Sequence, residues 1–264
     1  MRIAWLTDLH LNFLDPAGVD ALCSTIAAGA PDAVLLTGDI SEAGPLERHL
    51  RMLEAHLLRP IYFVLGNHDF YRGSIAGVRA GIRDLCAASS HLKWLSDTGV
   101  IPLSDHAGLV GHDGWADGRA GDYDGSEVFL NDYRLIAELT HPDAGVRLAR
   151  MQALASEAAE HLRTTVASAL AKHAHVLVAT HVPPFREACW HEGQISSDDW
   201  LPHFTCVAVG EVLVELMGRN PARRMTVLCG HTHSAGRADV LPNLVVHTGA
   251  AQYGRPHVQS FLEV

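Results

Sequence analysis

Ile61-Tyr62-Phe63-Val64-Leu65 runs without a break into Gly66-Asn67-His68-Asp69. An apolar run of this length that stops abruptly at glycine reads as a strand buried on both faces, and the residues just beyond it are polar and chemically able. The same design occurs twice upstream, where Ile3-Ala4-Trp5-Leu6-Thr7 leads into Asp8 and His10, and Ala33-Val34-Leu35-Leu36-Thr37 into Gly38-Asp39. Downstream, Leu109-Val110 precedes Gly111-His112-Asp113, Val176-Leu177-Val178-Ala179 precedes Thr180-His181, and Met225-Thr226-Val227-Leu228 precedes Cys229-Gly230-His231-Thr232-His233. Packing alone does not account for buried strands that repeatedly end on Asp, Asn and His.

The segments between the first three runs are helical. Val19, Leu22, Cys23 and Ile26 recur at helical spacing after Pro16, and Leu46, Leu50, Leu53 and Leu57 do so before Pro60. Strand, helix, strand, helix, strand implies a parallel sheet, with ligands beyond the carboxyl ends of its strands. Met151, Leu154, Ala155, Ala158, Leu162, Val166 and Leu170 predict a long amphipathic helix over about 145–173, with His161 and His173 solvated on it. Val227-Leu228, Leu244-Val245-Val246 and 258–262 return to strand character and predict a second sheet. Between these regions, about 112–144 is rich in Gly and Asp and reads as a surface loop or lid. It is not a calcium loop of EF-hand type, because the best alignment puts Ala120 and Asn131 at ligand positions.

At 264 residues and 48% hydrophobic, the chain suits one large α/β domain over 1–264. A net charge of −10 disfavours a broad nucleic-acid or anionic-membrane footprint. Its 18 histidines, against 20 Lys and Arg together, point instead toward metal ligation. Five scattered cysteines without a C-x-x-C pair support neither a disulfide framework nor a zinc knuckle. The first residues form a strand-like run with no signal-peptide pattern, and no apolar stretch reaches membrane-spanning length. A cytoplasmic, soluble protein is the expectation.

Residues i and i+2 of an extended chain face the same way, so Asp8 with His10, and His231 with His233, can each approach one ion. Asp39 follows a glycine, and its two oxygens can bridge two cations roughly 3.5 to 4 Å apart. Asn67 adds an amide oxygen and His181 an imidazole. This mixed N and O set suits Mn, Fe, Zn, Co or Ni. Two dications facing only Asp8 and Asp39 keep about two positive charges, which an anionic phosphate ester would fill.

Asp-x-His at 8–10, Gly-Asp at 38–39, Gly-Asn-His-Asp at 66–69, His181 and Gly-His-x-His at 230–233 together resemble the calcineurin-like metallophosphoesterase superfamily. The resemblance spans almost the whole chain. It implies a four-layer α/β/β/α sandwich, with two mixed sheets flanked by helices. By position it places Asp8, His10, Asp39 and His233 on one metal, and Asp39, Asn67, His181 and His231 on the other. It also implies hydrolysis by a metal-bridging hydroxide, with His68 as the non-ligand histidine that protonates the leaving group and Asp69 as a residue that could orient it.

Within that superfamily the motifs are most similar to bacterial cyclic-nucleotide phosphodiesterases, so a phosphodiesterase acting on a small, nucleotide-like substrate leads. A phosphomonoesterase or protein phosphatase is the alternative, although Gly38-Asp39-Ile40-Ser41-Glu42-Ala43-Gly44 lacks the arginine of the protein phosphatase motif. A nuclease is disfavoured because Arg219, Arg223 and Arg224 are the clearest basic cluster. A non-catalytic, metal-clamped interaction module is the alternative from another class. For substrate contact the sequence offers Asp113 and Trp115 near the lid, and Trp190 and His191 in a loop over about 182–203. Trp200 suits core or homodimer packing.

Overall fold

The computed structural model describes residues 1–264. Strands β1 (Arg2–Leu6), β2 (Ala33–Thr37), β3 (Ile61–Val64) and β4 (Leu92–Trp94) pair in parallel, in that order. Helices α1 (Pro16–Ala28), α2 (Ala43–Leu57) and α3 (Ile75–Ala87) form the connections. The second sheet contains β5 (Ile101–Pro102), β6 (Ala107–His112), β7 (His175–Thr180), β10 (Arg224–Cys229), β11 (Gly236–Leu241) and β12 (Leu244–Thr248). Its order is β11-β12-β10-β7-β6-β5, parallel in the middle and antiparallel at both edges. The short helix α4 (Asp132–Leu135) precedes α5 (Ala144–Lys172). A small hairpin of β8 (Trp190–His191) and β9 (Gln194–Ile195) and helix α6 (Leu201–Phe204) then lead to α7 (Val207–Gly218).

The unbroken apolar runs follow from a core on each side of each sheet. Ala4, Leu6, Val34, Leu36, Ile61 and Phe63 join the larger core with the helices. Their neighbours Ile3, Trp5, Leu35, Tyr62 and Val64 join a second core, where they meet Leu109, Leu177, Ala179 and Leu228 of the other sheet. Alternate residues thus serve opposite faces, and neither face can be polar. The result is an α/β fold with two large mixed sheets flanked by helices. No helix is long and apolar enough to cross a membrane.

Three expectations need correction. The last strand, β13 (Ser260–Glu263), leaves the C-terminal sheet and pairs antiparallel with β1, where Phe261 fills the space beside Gly29. Residues 112–144 are a surface loop only in part: His112, Asp113, Trp115, Asp117, Tyr133, Ile136 and Leu139 are buried, whereas no residue of 118–131 is. The histidines of α5 are not solvated. His173 is buried at its C-cap, while His161 is half-buried and packs 5.2 Å from the His112 ring.

Candidate metal centre

The polar residues that follow five of the strands converge at one end of the two sheets. They do so through unusual backbone: Asp8, His10, Asp39, His231 and His233 all have φ between 44° and 73°. A left-handed conformation is costly for residues with a side chain, and it persists where the surroundings over-determine it. The extended i, i+2 geometry expected for Asp8 and His10 is therefore wrong. β1 ends at Leu6, and the chain coils tightly enough to turn both side chains inward. Gly38, with φ of 92°, lies where an added Cβ would come within 2.4 Å of His181 Nδ1. At Gly66 the same atom would come within 2.2 Å of Asp39 Oδ1, so both glycines let backbone approach the cluster.

One half of the cluster is Asp8, His10, Asp39 and His233, whose ligand atoms all lie within 4.8 Å of one another. His10 Nε2 and His233 Nε2 are 3.2 Å apart, and His233 Nε2 is 3.3 Å from Asp8 Oδ1. Thr7 Oγ1 donates to Asp8 Oδ2 at 2.6 Å, and the His231 amide donates to the same carboxylate. Burial alone would raise the Asp8 pKa, but His233 and His181 outweigh it and hold the group below the usual carboxylate range. Burial pushes His10 down to about 4, which keeps its imidazole neutral.

The other half is drawn more tightly. His181 Nδ1 donates to the Thr37 carbonyl at 2.9 Å, and His231 Nε2 faces the His203 carbonyl at 3.3 Å. A carbonyl can only accept, so these bonds fix both tautomers and leave lone pairs on His181 Nε2 and His231 Nδ1. Asn67 turns its NH2 toward Asp132, which directs Oδ1 inward. The three acceptors lie 3.0 to 3.2 Å apart, and Asp39 Oδ1 is 3.3 Å from His181 Nε2. Converging lone pairs repel one another unless a cation lies among them, so this donor set fits a metal ion. A metal ion there would take the place of a proton: burial opposes charge on His181, yet Asp39 overrides it and raises the pKa to about 10. Burial and the nearby His181 push His231 down to about 3.

Asp39 belongs to both halves. Its Oδ1 faces His181 and accepts the His68 amide at 2.8 Å, while Oδ2 lies 3.8 Å from His10. His68 itself stands at the cavity wall, stacked on Tyr71 at 4.2 Å, with Nε2 3.9 Å from Asp39 Oδ2. Asp69 does not orient that ring. Its two oxygens accept the Ser41 and Gly66 amides at 2.7 and 2.8 Å, joining the turns after β2 and β3. Burial and the charge of Asp39 push its carboxyl up to about 8.

A cavity of about 240 Å³ opens onto the cluster, lined in part by Asp132, His191, Phe204 and Tyr253. Of the four residues expected to touch substrate, only His191 reaches it. Asp113 is buried, accepting from the Leu65 amide, Trp94 Nε1 and Ser96 Oγ. Trp115 is buried 5.8 Å from the Phe70 ring. Trp190 packs on the backbone of Gly236, where an added Cβ would sit 1.9 Å from its Cδ1. Sequence reasoning missed Tyr71, Asp132, Phe204 and Tyr253. Tyr71 lies two residues past a recognised motif, and nothing local distinguishes Asp132 or Tyr253 from other turn residues.

No curated protein sequence matches the chain. Among solved structures, phosphopantetheinyl hydrolase from Mycobacterium tuberculosis superposes with a TM-score of 0.67 at 14% identity, covering 96% of this chain and 89% of that one. A dimetal phosphatase from Danio rerio gives 0.62 at 15% identity, with 99% and 91% covered. At these identities the likeness concerns the fold. The family model for calcineurin-like phosphoesterases matches residues 1–235, a span that contains every strand end gathered at the cluster. The chain therefore belongs to the calcineurin-like phosphoesterase family, whose members are built around a dinuclear metal centre.

Proposed function

We propose that this phosphoesterase is a phosphodiesterase acting on a small substrate. The observation that carries the reading is the charge of the cavity wall. No lysine or arginine lines it, and a third carboxylate, Asp132, joins Asp39 there. Two dications offset by Asp8 and Asp39 leave about two positive charges, and the wall adds no further cation to them. A diester carries one negative charge, which the ions alone would offset. A monoester dianion or a protein phosphate would call for the additional cation that the wall lacks. The cavity volume of about 240 Å³ also suits a small molecule better than a polymer.

In this reading Asp8, His10, Asp39 and His233 hold one transition-metal ion, and Asp39, Asn67, His181 and His231 hold the other. The ions would supply Lewis acidity and an activated water. Asp39, whose two oxygens face different halves, would be the ligand that both ions share. His68 Nε2 carries the proton delivered to the departing alkoxide, and the Tyr71 ring keeps the imidazole upright beside the cluster.

Metal-loaded protein, prepared separately with Mn, Fe, Zn and Ni, should hydrolyse bis-p-nitrophenyl phosphate with a higher kcat/KM than p-nitrophenyl phosphate. A monoester preference of tenfold or more would overturn the diester assignment. Absence of turnover with every metal would overturn the enzymatic reading of this chain.

A further inference from the structure

We infer that Asp132 is a positioning residue, which commits Asn67 to presenting oxygen rather than NH2 to the second metal site. The inference rests on the ligand set proposed above for Asn67, His181 and His231. A primary amide has an acceptor at one end and a donor at the other, and a flip would turn two N–H bonds into the site and repel a cation. Something must choose between these orientations. Asp132 Oδ1 does so by accepting from Asn67 Nδ2 at 2.8 Å. The same oxygen accepts from Tyr71 Oη at 2.7 Å. Tyr71 is the ring on which His68 stacks, so one carboxylate fixes a ligand on one side and the proposed acid's support on the other.

The placement of Asp132 is not left to a mobile loop. It is buried in α4, and the chain around it is fastened to the segment that directly follows His68. The Arg72 amide donates to the Leu135 carbonyl at 2.7 Å, and the Ala137 amide donates to Gly73 at 3.0 Å. Glu138 then accepts the Ile75 and Ala76 amides at the first turn of α3. Asn67 and Asp132 are 65 residues apart in sequence, yet the two segments that carry them are tied together just beyond the contact.

The test is calorimetric titration of the metal-stripped full chain with Mn2+ alone, with bound metal counted by elemental analysis. Wild-type protein should take up two ions. Asp132→Ala should weaken one of the two binding events by about 10- to 100-fold and leave the other in place. Asp132→Asn, whose amide oxygen can still accept from Asn67, should recover most of that loss. Tyr71→Phe should keep both affinities while lowering kcat. Should Asp132→Ala fold poorly, Asp132→Ser, whose hydroxyl cannot reach Asn67, carries the same expectation. Two unchanged affinities in a folded Asp132→Ala or Asp132→Ser protein would overturn the inference alone. Equal weakening of both events would also overturn it, by revealing a general structural role. Fewer than two ions on the wild-type protein would overturn the underlying ligand assignment as well.

Discussion

The two halves of the candidate metal centre are built from similar residue types but are held differently. Around Asn67, His181 and His231 each ligand has its other polar atom engaged, by the Thr37 and His203 carbonyls and by Asp132. Around His10 and His233 the support is thinner. His10 Nδ1 is buried without a partner, the His233 side chain is 24% exposed, and the half-exposed Tyr253 ring covers His10 at 4.5 Å. Ligands whose outer atoms are bonded are fixed in orientation before a cation binds, whereas imidazoles without such a bond are held by packing alone. The closed half should therefore be the tighter site.

The most damaging change should be at the residue the halves share. Asp39→Ala removes an oxygen from each, and turnover should fall by about a thousandfold or more, given the several kcal/mol that metal ions contribute to such reactions. Residual activity within tenfold of wild type, measured on bis-p-nitrophenyl phosphate, would contradict a shared ligand. Stepwise removal of metal by a chelator should next distinguish the halves. His10→Ala should abolish the ion that leaves first, and His181→Ala the one that leaves last. The reverse order would invert the comparison.

Tyr253→Ala should act on the open half alone. It removes an aromatic surface worth about 0.5–1.5 kcal/mol, so KM should rise up to about tenfold with metal content unchanged. Trp190→Ala provides the contrast. Its ring packs on Gly236 outside the cavity, so the melting temperature should fall while KM stays put. A raised KM would return Trp190 to the substrate loop.

The smallest effect concerns the sixth strand end, where His112 is buried beside His161 and serves packing. Burial lowers its pKa from 6.5 to about 4. Between these values the unfolded chain binds a proton that the folded chain refuses, so stability falls as pH drops from about 6.5 to 4. His112→Asn, which can still accept the Gly114 amide, should flatten that part of the pH profile in urea denaturation. An unchanged slope would assign the acid sensitivity elsewhere.

Much of this site could be read in the chain because its residues sit next to strong signals. A strand covered on both faces has to be an apolar run, so its end is visible, and Asp8, Asp39, Asn67, His181 and His231 occupy such ends. The acid-rich segment after His112 offers no comparable signal. It has little regular structure, and its burial comes from packing of Trp115, Tyr133 and Ile136 against elements distant in sequence. Composition suggested a surface lid, and tertiary contacts made it a wall of the site. Tyr253 likewise lies in a turn between β12 and β13, with no periodicity to mark it.

The sequence by itself determined the α/β architecture and which polar residues stand at the strand ends, since hydrophobic period and strand-end chemistry are local properties. Only the tertiary structure decided that Asp8 and His10 curl inward through left-handed backbone, that β13 returns to β1, and that Asp132 fixes Asn67 while Asp69 joins two turns. These outcomes depend on which distant segments dock together. A hydrogen bond between residues 67 and 132 leaves no local pattern in either stretch.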